Sequence, residues 1–193
     1  MDKFKEELDF TLDILIKSAF YSESEILEIL EEQFMDEDFN FNELDFSLKN
    51  ADNINFNKLE EVFNQLASKN IIAIHNCGYD VDDGINDVFE LYQHLKNNNL
   101  NPKGFVFYSF EDVEEAILEN QLFLTFADFS ENKANALKIG EIITELLEKH
   151  DFKVIWNHTV EEFIVIDSFK WDKSFNTNTY EIEGAFETFK SLN

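Results

Sequence analysis

The chain has 193 residues, enough for one domain with a real core, and its 44% apolar content with 22 Phe marks the 29% charged content as surface rather than disorder. It carries 41 Asp and Glu against 15 Lys with no Arg, a net charge of −26. That balance argues against nucleic acid, whose binding runs on Lys and Arg neutralising phosphates, and it favours a basic protein as partner.

The first seventy residues read as helices. Phe4, Leu8, Leu12, Leu15 and Ile16 share one helical face, and Ser22 with Glu25 three residues on forms a capping box for a second helix. That helix turns Ile26, Leu27, Leu30 and Phe34 inward and leaves Glu23, Glu28, Glu31, Glu32, Asp36, Glu37 and Asp38 on its outer side or exit. Between Lys17 and Lys49 stand ten acids and no base, interleaved with apolar residues at helical spacing, which makes them a charged face rather than a tail. After an Asn-rich connector, Phe56, Leu59, Val62, Phe63 and Leu66 mark a third helix ending near Lys69 and Asn70.

From there short apolar runs alternate with helical ones. A strand is expected at Ile71 to Ile74, a helix at Asp87 to Lys96, a strand at Phe105 to Tyr108, a helix opened by Ser109 and Asp112 through Val113, Ala116 and Ile117, and a strand at Leu122 to Phe126. A helix from about Glu131 to Lys149 follows, with His150 placed to favour its dipole. Then come Val154 to Trp156, a turn at Asn157 to Thr159, and Phe163 to Ile166, which read as an antiparallel hairpin. The expected fold is α+β, a mixed α/β architecture with a sheet of about five strands. The expected division is an N-terminal helical segment at 1–55 docked on the main domain, an α/β core at 56–175, and a C-terminal extension at 176–193.

The runs IIAIHNCGYDVDDG, GFVFYSFEDVEEAI, LFLTFADF, IGEIITELLEKHDF and VIWNHTVEEFIVI, closed by Trp171-Asp172-Lys173, resemble a bacterial family of uncharacterised domains. In that family a Gly-Tyr followed by Asp-Gly, a Gly-Phe-x-Phe-Tyr strand and a late Trp hairpin recur in this order. The resemblance covers roughly Lys58 to Lys173, with a weaker helical match before it. It implies a fold boundary and no activity. The chain departs from the pattern at Asp80 and Asp82, where small hydroxyl residues are expected, so those two acids are poor carriers of any shared chemistry.

Asp80, Asp82, Asp83 and Asp87 offer oxygen ligands, but aligning an EF-hand loop on Gly84 puts Tyr79 at position one and Val81 at position three, so the register fails. Asp82 or Asp83 as a helix N-cap, with Gly84 relieving backbone strain, explains the stretch. Cys77 follows His75 by two residues, which on a strand points both to one face, yet no cysteine-hydrolase signature flanks them and a buried small Cys is the commoner outcome. His94, His150 and His158 are scattered without zinc spacing. The acids are too many to single out a catalytic pair, and Gly78, Gly84, Gly104, Gly140 and Gly184 never cluster into a phosphate loop. Trp156, Trp171, Tyr79 and Tyr108 are pocket candidates that a Phe-rich chain more often uses as core.

No apolar run approaches the roughly 20 residues that cross a bilayer. The single Cys77 cannot close an intramolecular disulfide, and MDKFKEELDF lacks the apolar core of a signal peptide, so a cytoplasmic location off the membrane is expected. The leading expectation is a non-enzymatic acidic protein that binds a basic protein, most concretely an immunity-type inhibitor of a toxin or nuclease. Its contact surface would be Glu23 to Asp38 together with Glu111, Glu114 and Glu115. One alternative is a small-ligand or enzymatic pocket built from Cys77, Tyr79, Asp83, Gly84, Tyr108 and Trp156. The other is a housekeeping domain whose acidity serves solubility. No metal or cofactor is expected, and the oligomeric state is left open.

Overall fold

A computed structural model describes residues 3–130 and 132–193. Seven α-helices and five strands follow in chain order, and contacts divide them into two units. One unit runs to Asn53 and includes Asp172–Thr177; the other comprises Ile54–Trp171 and Asn178–Asn193.

The first unit holds α1 (Lys3–Ser18), α2 (Glu23–Gln33) and a short 3-10 turn at Phe41–Glu43. The expected capping box is present. The Ser22 amide donates to Glu25 Oε2 at 2.7 Å, and the Glu25 amide donates to Ser22 Oγ at 3.3 Å. Ile26, Leu30 and Phe34 are buried as the helical period requires, while Ile14, which the sequence reading passed over, is buried beside Leu8 and Leu15. Lys173 returns to this unit and is fully buried. Its ammonium donates to the Ala19 carbonyl at 2.7 Å and to the Ser174 carbonyl at 3.3 Å, and lies 4.7 Å from the centre of the Phe20 ring. Ala19, just past the end of α1, has a φ of 58°. A cation thus meets the negative end of a helix, away from water, where a left-handed alanine ends it.

The second unit contains α3 (Ile54–Ser68), β1 (Ile71–Ile74), α4 (Val81–Asn97), β2 (Gly104–Phe107), α5 (Phe110–Glu119), β3 (Gln121–Asp128), α6 (Lys133–Lys149), β4 (Lys153–Ile155), β5 (Ile164–Asp167) and α7 (Glu181–Leu192). The expected first residue of α6, Glu131, lies outside the described residues. Asn132 caps the helix by accepting from the Ala134 amide at 3.0 Å, and His150 closes it with Nδ1 at 2.8 Å from the Leu146 carbonyl oxygen. The sheet order is β1-β2-β3-β5-β4, with β1 and β2 parallel and the other neighbours antiparallel. This is an α+β fold on a five-stranded mixed sheet, and the hairpin of β4 and β5 is the one expected.

Alternation sorts the faces of β1 and β2. Ile72 and Ile74 stand beside Phe105 and Phe107, and this side packs with Val88, Leu91 and Leu95 of α4 and with Phe189 of α7. On the opposite side, a Cβ on Gly104 would strike Ile139 of α6, and one on Gly140 would come within 2.6 Å of the Trp156 ring, so α6 lies close against the sheet. α7, which the sequence reading left unassigned, packs on the edge strand β1 and against both α3 and α4. It covers an edge that would otherwise be open to pairing.

Two local expectations are corrected. α4 begins at Val81, six residues before the expected Asp87, and its N-cap is Asp80 rather than Asp82 or Asp83, with Asp80 Oδ1 accepting from the Asp83 amide at 2.9 Å. Acids in a first turn stabilise a helix start, so the polar run 80–87 is helix. Gly84 is not there to relieve strain. It sits inside the first turn, where a Cβ would strike the Phe107 ring, and its role is close approach of helix to strand. Among the described residues no helix is long and apolar enough to cross a membrane.

Replacing Lys173 by Met keeps the apolar stem and deletes the ammonium, leaving the Ala19 carbonyl buried without that donor. Urea unfolding of Lys173→Met is expected to show a loss of about 2–3 kcal/mol; a change near zero would show that the buried cation is dispensable.

Candidate functional site

The pairing of β1 with β2 continues past both strands. The Cys77 amide donates to the Tyr108 carbonyl at 2.9 Å, the Phe110 amide to Gly78 at 3.1 Å, and the Glu111 amide to Tyr79 at 3.0 Å. Phe110 and Glu111 open α5, so their amides are among those a helix cannot satisfy internally. The loop after β1 supplies the missing carbonyls. Gly78 takes a φ of 69°, and a Cβ there would come within 2.6–2.8 Å of Gly84 and Asp83, so the turn requires glycine. Ser109 and Asp112 complete the helix start as a capping box, with the Ser109 amide 2.7 Å from Asp112 Oδ2.

On this platform Tyr79 is 59% exposed and its ring stacks on Phe110, centroids 6.2 Å apart and planes 26° from parallel. Partial burial pushes its phenol pKa up, and so do the negative charges of Glu111, Glu114 and Asp80. Phe110, Glu114 and Leu118 form one ridge of α5, with Glu111 and Glu115 beside it. Leu118 is exposed, as are Glu111 and Glu115. The loop-borne tyrosine and the helix-borne acids, read separately in the sequence, therefore form one surface.

The six residues expected to share a pocket do different work. Cys77 is fully buried; its thiol donates to the Gly84 carbonyl at 3.5 Å, and burial, with Asp87 and Glu181 nearby, pushes its pKa up, the opposite of an activated nucleophile. Strand geometry ends at Ile74 and Asn76 has a φ of 51°, so the alternation that would set His75 and Cys77 on one face does not reach them. Tyr108 is fully buried with its hydroxyl 2.8 Å from His75 Nδ1. Asp83 is exposed in the first turn of α4. Trp156 follows β4, at the far edge of the sheet from β1, where its Nε1 donates to the Thr159 carbonyl at 2.9 Å and its ring meets Phe126.

In the first unit Glu23, Glu28, Glu31, Glu32, Asp36, Glu37 and Asp38 are all exposed. Among the described residues no ion pair reaches any of them, nor Glu111, Glu114 or Glu115. Met35, in the midst of these acids, is also exposed. No group of three or more His, Cys, Asp or Glu among the described residues is placed to hold a metal ion.

A cleft that sequence reasoning missed opens between α3, the end of β1 and α7. It measures about 480 Å³ and is lined by Glu60 and Phe63 of α3, Ala73 and His75, and Tyr180, Glu181, Glu183 and Glu187 at the start of α7. The His75 ring stacks on Phe63 at 4.4 Å and stands edge-on to Tyr180 at 5.7 Å. The Tyr180 hydroxyl donates to Glu60 at 3.1 Å, the Glu181 amide donates to the His75 carbonyl at 3.2 Å, and Asn76 Nδ2 donates to Glu181 Oε1 at 3.0 Å. Asn76 and Glu181 both have left-handed backbones, with φ of 51° and 56°. The helical spacing of Ile182, Ala185, Phe186 and Phe189 was the signal that could have revealed α7.

The acids set the pH dependence. Burial first, and then Glu90, Asp83 and Glu183, raise the Asp87 pKa; burial and then Glu115 and Glu111 raise Glu114; at Asp112 burial outweighs the Ser109 hydrogen bonds. Glu161 and Asp167, bonded to Lys133 and Lys153, are instead lowered to about 2. For the raised group the folded chain binds more protons than the unfolded one between the ordinary and raised values, so stability falls as pH rises through that window. For the lowered pair, stability is present above the ordinary values of 4.5 and 3.8 and is lost as pH falls toward about 2. The melting temperature is expected to rise as pH falls through the window just above the ordinary carboxylate values of 3.8 and 4.5, and to fall as pH drops on toward about 2. A steady decline from pH 7 downward would contradict this balance.

Neither the curated proteins nor the solved structures offer a match to the chain. A family model described as a domain of unknown function, DUF6891, matches residues 1–175, which include the β1 loop and α5 and stop short of α7. The chain belongs to that family.

Proposed function

We propose that this chain is a non-enzymatic cytoplasmic protein that binds a basic protein partner, as an immunity-type inhibitor of a toxin or nuclease would, through the Tyr79 platform on α5. The observation that carries this reading is the exposed Tyr79 ring, stacked on Phe110, with the negative charges of Glu111, Glu114 and Asp80 acting on its phenol. An aromatic anchor held rigidly before binding loses little freedom on contact, and tyrosine is among the residues that dominate binding energy at interfaces. Among the described residues no ion pair reaches Asp80, Glu111 or Glu114, so they are available to a partner's cations. A net charge of −26 speeds encounter with a basic surface and repels competing anions. The acids of α2 lie in the other unit and add to the same field.

A basic cleft that normally receives a polyanion would meet here carboxylates spaced along a helix, with an aromatic pair at its end. Phe110 and Leu118 supply apolar contact between the charges, which suits a basic segment with an apolar side.

The test is affinity capture by the full chain from its source cell, followed by binding measurements on the recovered partner. The expected partner is basic and elutes with salt; Tyr79→Ala weakens it at least about tenfold, and Glu111→Gln with Glu114→Gln slows association and flattens the salt dependence. Recovery of no basic partner, or binding indifferent to both salt and Tyr79, would overturn the reading.

A further inference from the structure

We infer that the cleft between α3, the end of β1 and α7 is a binding site for a small organic cation, one carrying an alkylammonium or guanidinium group. This goes beyond the proposed protein contact and concerns a different surface. Its volume of about 480 Å³ falls within the roughly 300–1,000 Å³ typical of ligand pockets. Its sign is set by Glu60, Glu181, Glu183 and Glu187, and no lysine is among the lining residues. Lys190, one turn beyond, reaches Glu187 at 3.9 Å, and among the described residues no ion pair reaches Glu60 or Glu183.

The aromatic lining distinguishes this wall from a patch of acids. His75 and Tyr180 present rings at the cleft, and a cation over such a ring is attracted by its π face. Both rings are fixed before any ligand arrives: His75 by the Tyr108 hydroxyl at 2.8 Å and the Phe63 stack, Tyr180 by its bond to Glu60 at 3.1 Å. Glu181 is likewise held by Asn76 at 3.0 Å. Pre-set walls reduce the ordering cost of binding.

The acids are spread along the wall and do not converge as metal ligands. That distribution fits a cation whose charge is delocalised or carried on an extended chain better than a metal ion. After burial, Glu90 and Asp83, Glu183 also helps raise the Asp87 pKa, in keeping with a negative potential at this end of α7. The α7 wall lies beyond the residues matched by the family, whereas α3 and β1 lie within them.

The experiment is calorimetric titration of the full chain in about 150 mM salt, where the screening length is about 8 Å. The probes are agmatine, a blocked Gly-Arg-Gly tripeptide, and hydroxybutylurea as a neutral analogue. Saturable one-to-one binding of at least one cation is expected, with none for the urea. Preference for agmatine assigns the site to a free amine, and preference for the tripeptide assigns it to a side chain of another protein. Glu183→Gln with Glu187→Gln should weaken binding at least about tenfold, whereas Glu28→Gln with Glu31→Gln, which removes the same charge from α2, should change it by less than about twofold. Circular dichroism checks that each variant is folded, and Tyr180→Phe, which keeps the ring, should retain part of the affinity. Non-saturating heats, or equal losses in the two double variants, would reduce the effect to diffuse charge and overturn the inference.

Discussion

The exposed Tyr79 surface of the second unit depends on three backbone hydrogen bonds that carry the β1–β2 pairing beyond the strands. A helix begins with amides that have no internal partner, and a loop after a strand ends with carbonyls in the same condition. Here each answers the other: Gly78 and Tyr79 accept from Phe110 and Glu111, and Ser109 Oγ accepts from Asp112. One exchange satisfies the start of α5 and fixes the loop. Its consequences reach in both directions along the chain. Tyr79 is displayed outward on Phe110, Cys77 is drawn inward under Gly84, Asp80 is delivered to cap α4, and Tyr108 is placed to meet His75.

The second constraint is the shortage of cations. With no arginine and 15 lysines against 41 acids, most carboxylates cannot be paired, and several of those that are held receive amide or hydroxyl donors instead. Glu25, Asp80, Asp112 and Asp128 all accept from the backbone at the start of a helix or in a turn. Where a cation is buried, at Lys173, it serves the Ala19 carbonyl just past the end of α1 and the Ser174 carbonyl. The remaining acids leave the chain with an unbalanced negative field, which adds little to its stability.

What could be read from the sequence was local. The two capping boxes, strand Ile71 to Ile74, the β4–β5 hairpin and the third helix are each set by residues within a few positions of one another, and each stands where the spacing put it. The start of α4 was obscured because acids that favour a helix N-terminus also resemble a solvated loop. What joins distant segments could not be read. His75 meets Phe63, Tyr108 and Tyr180 through the packing of α3, β2 and α7 on one strand, and nothing in its own neighbourhood announces them. The grouping of Trp156 with Tyr79 failed for the same reason, since sheet order puts their strands at opposite edges. Tyr79 itself was noticed, but its acidic surround became visible only when the loop and α5 were brought together.

The central claim is that Tyr79 rides on a platform already rigid in the free protein. Amide hydrogen exchange on the full chain without any partner tests it most directly, because a loop without these bonds exchanges fast while a continued ladder does not. The amides of Cys77, Phe110 and Glu111 are expected to be protected to the level of those within β1. Exchange at the rate of an open loop at Phe110 and Glu111, with β1 still protected, would contradict the account.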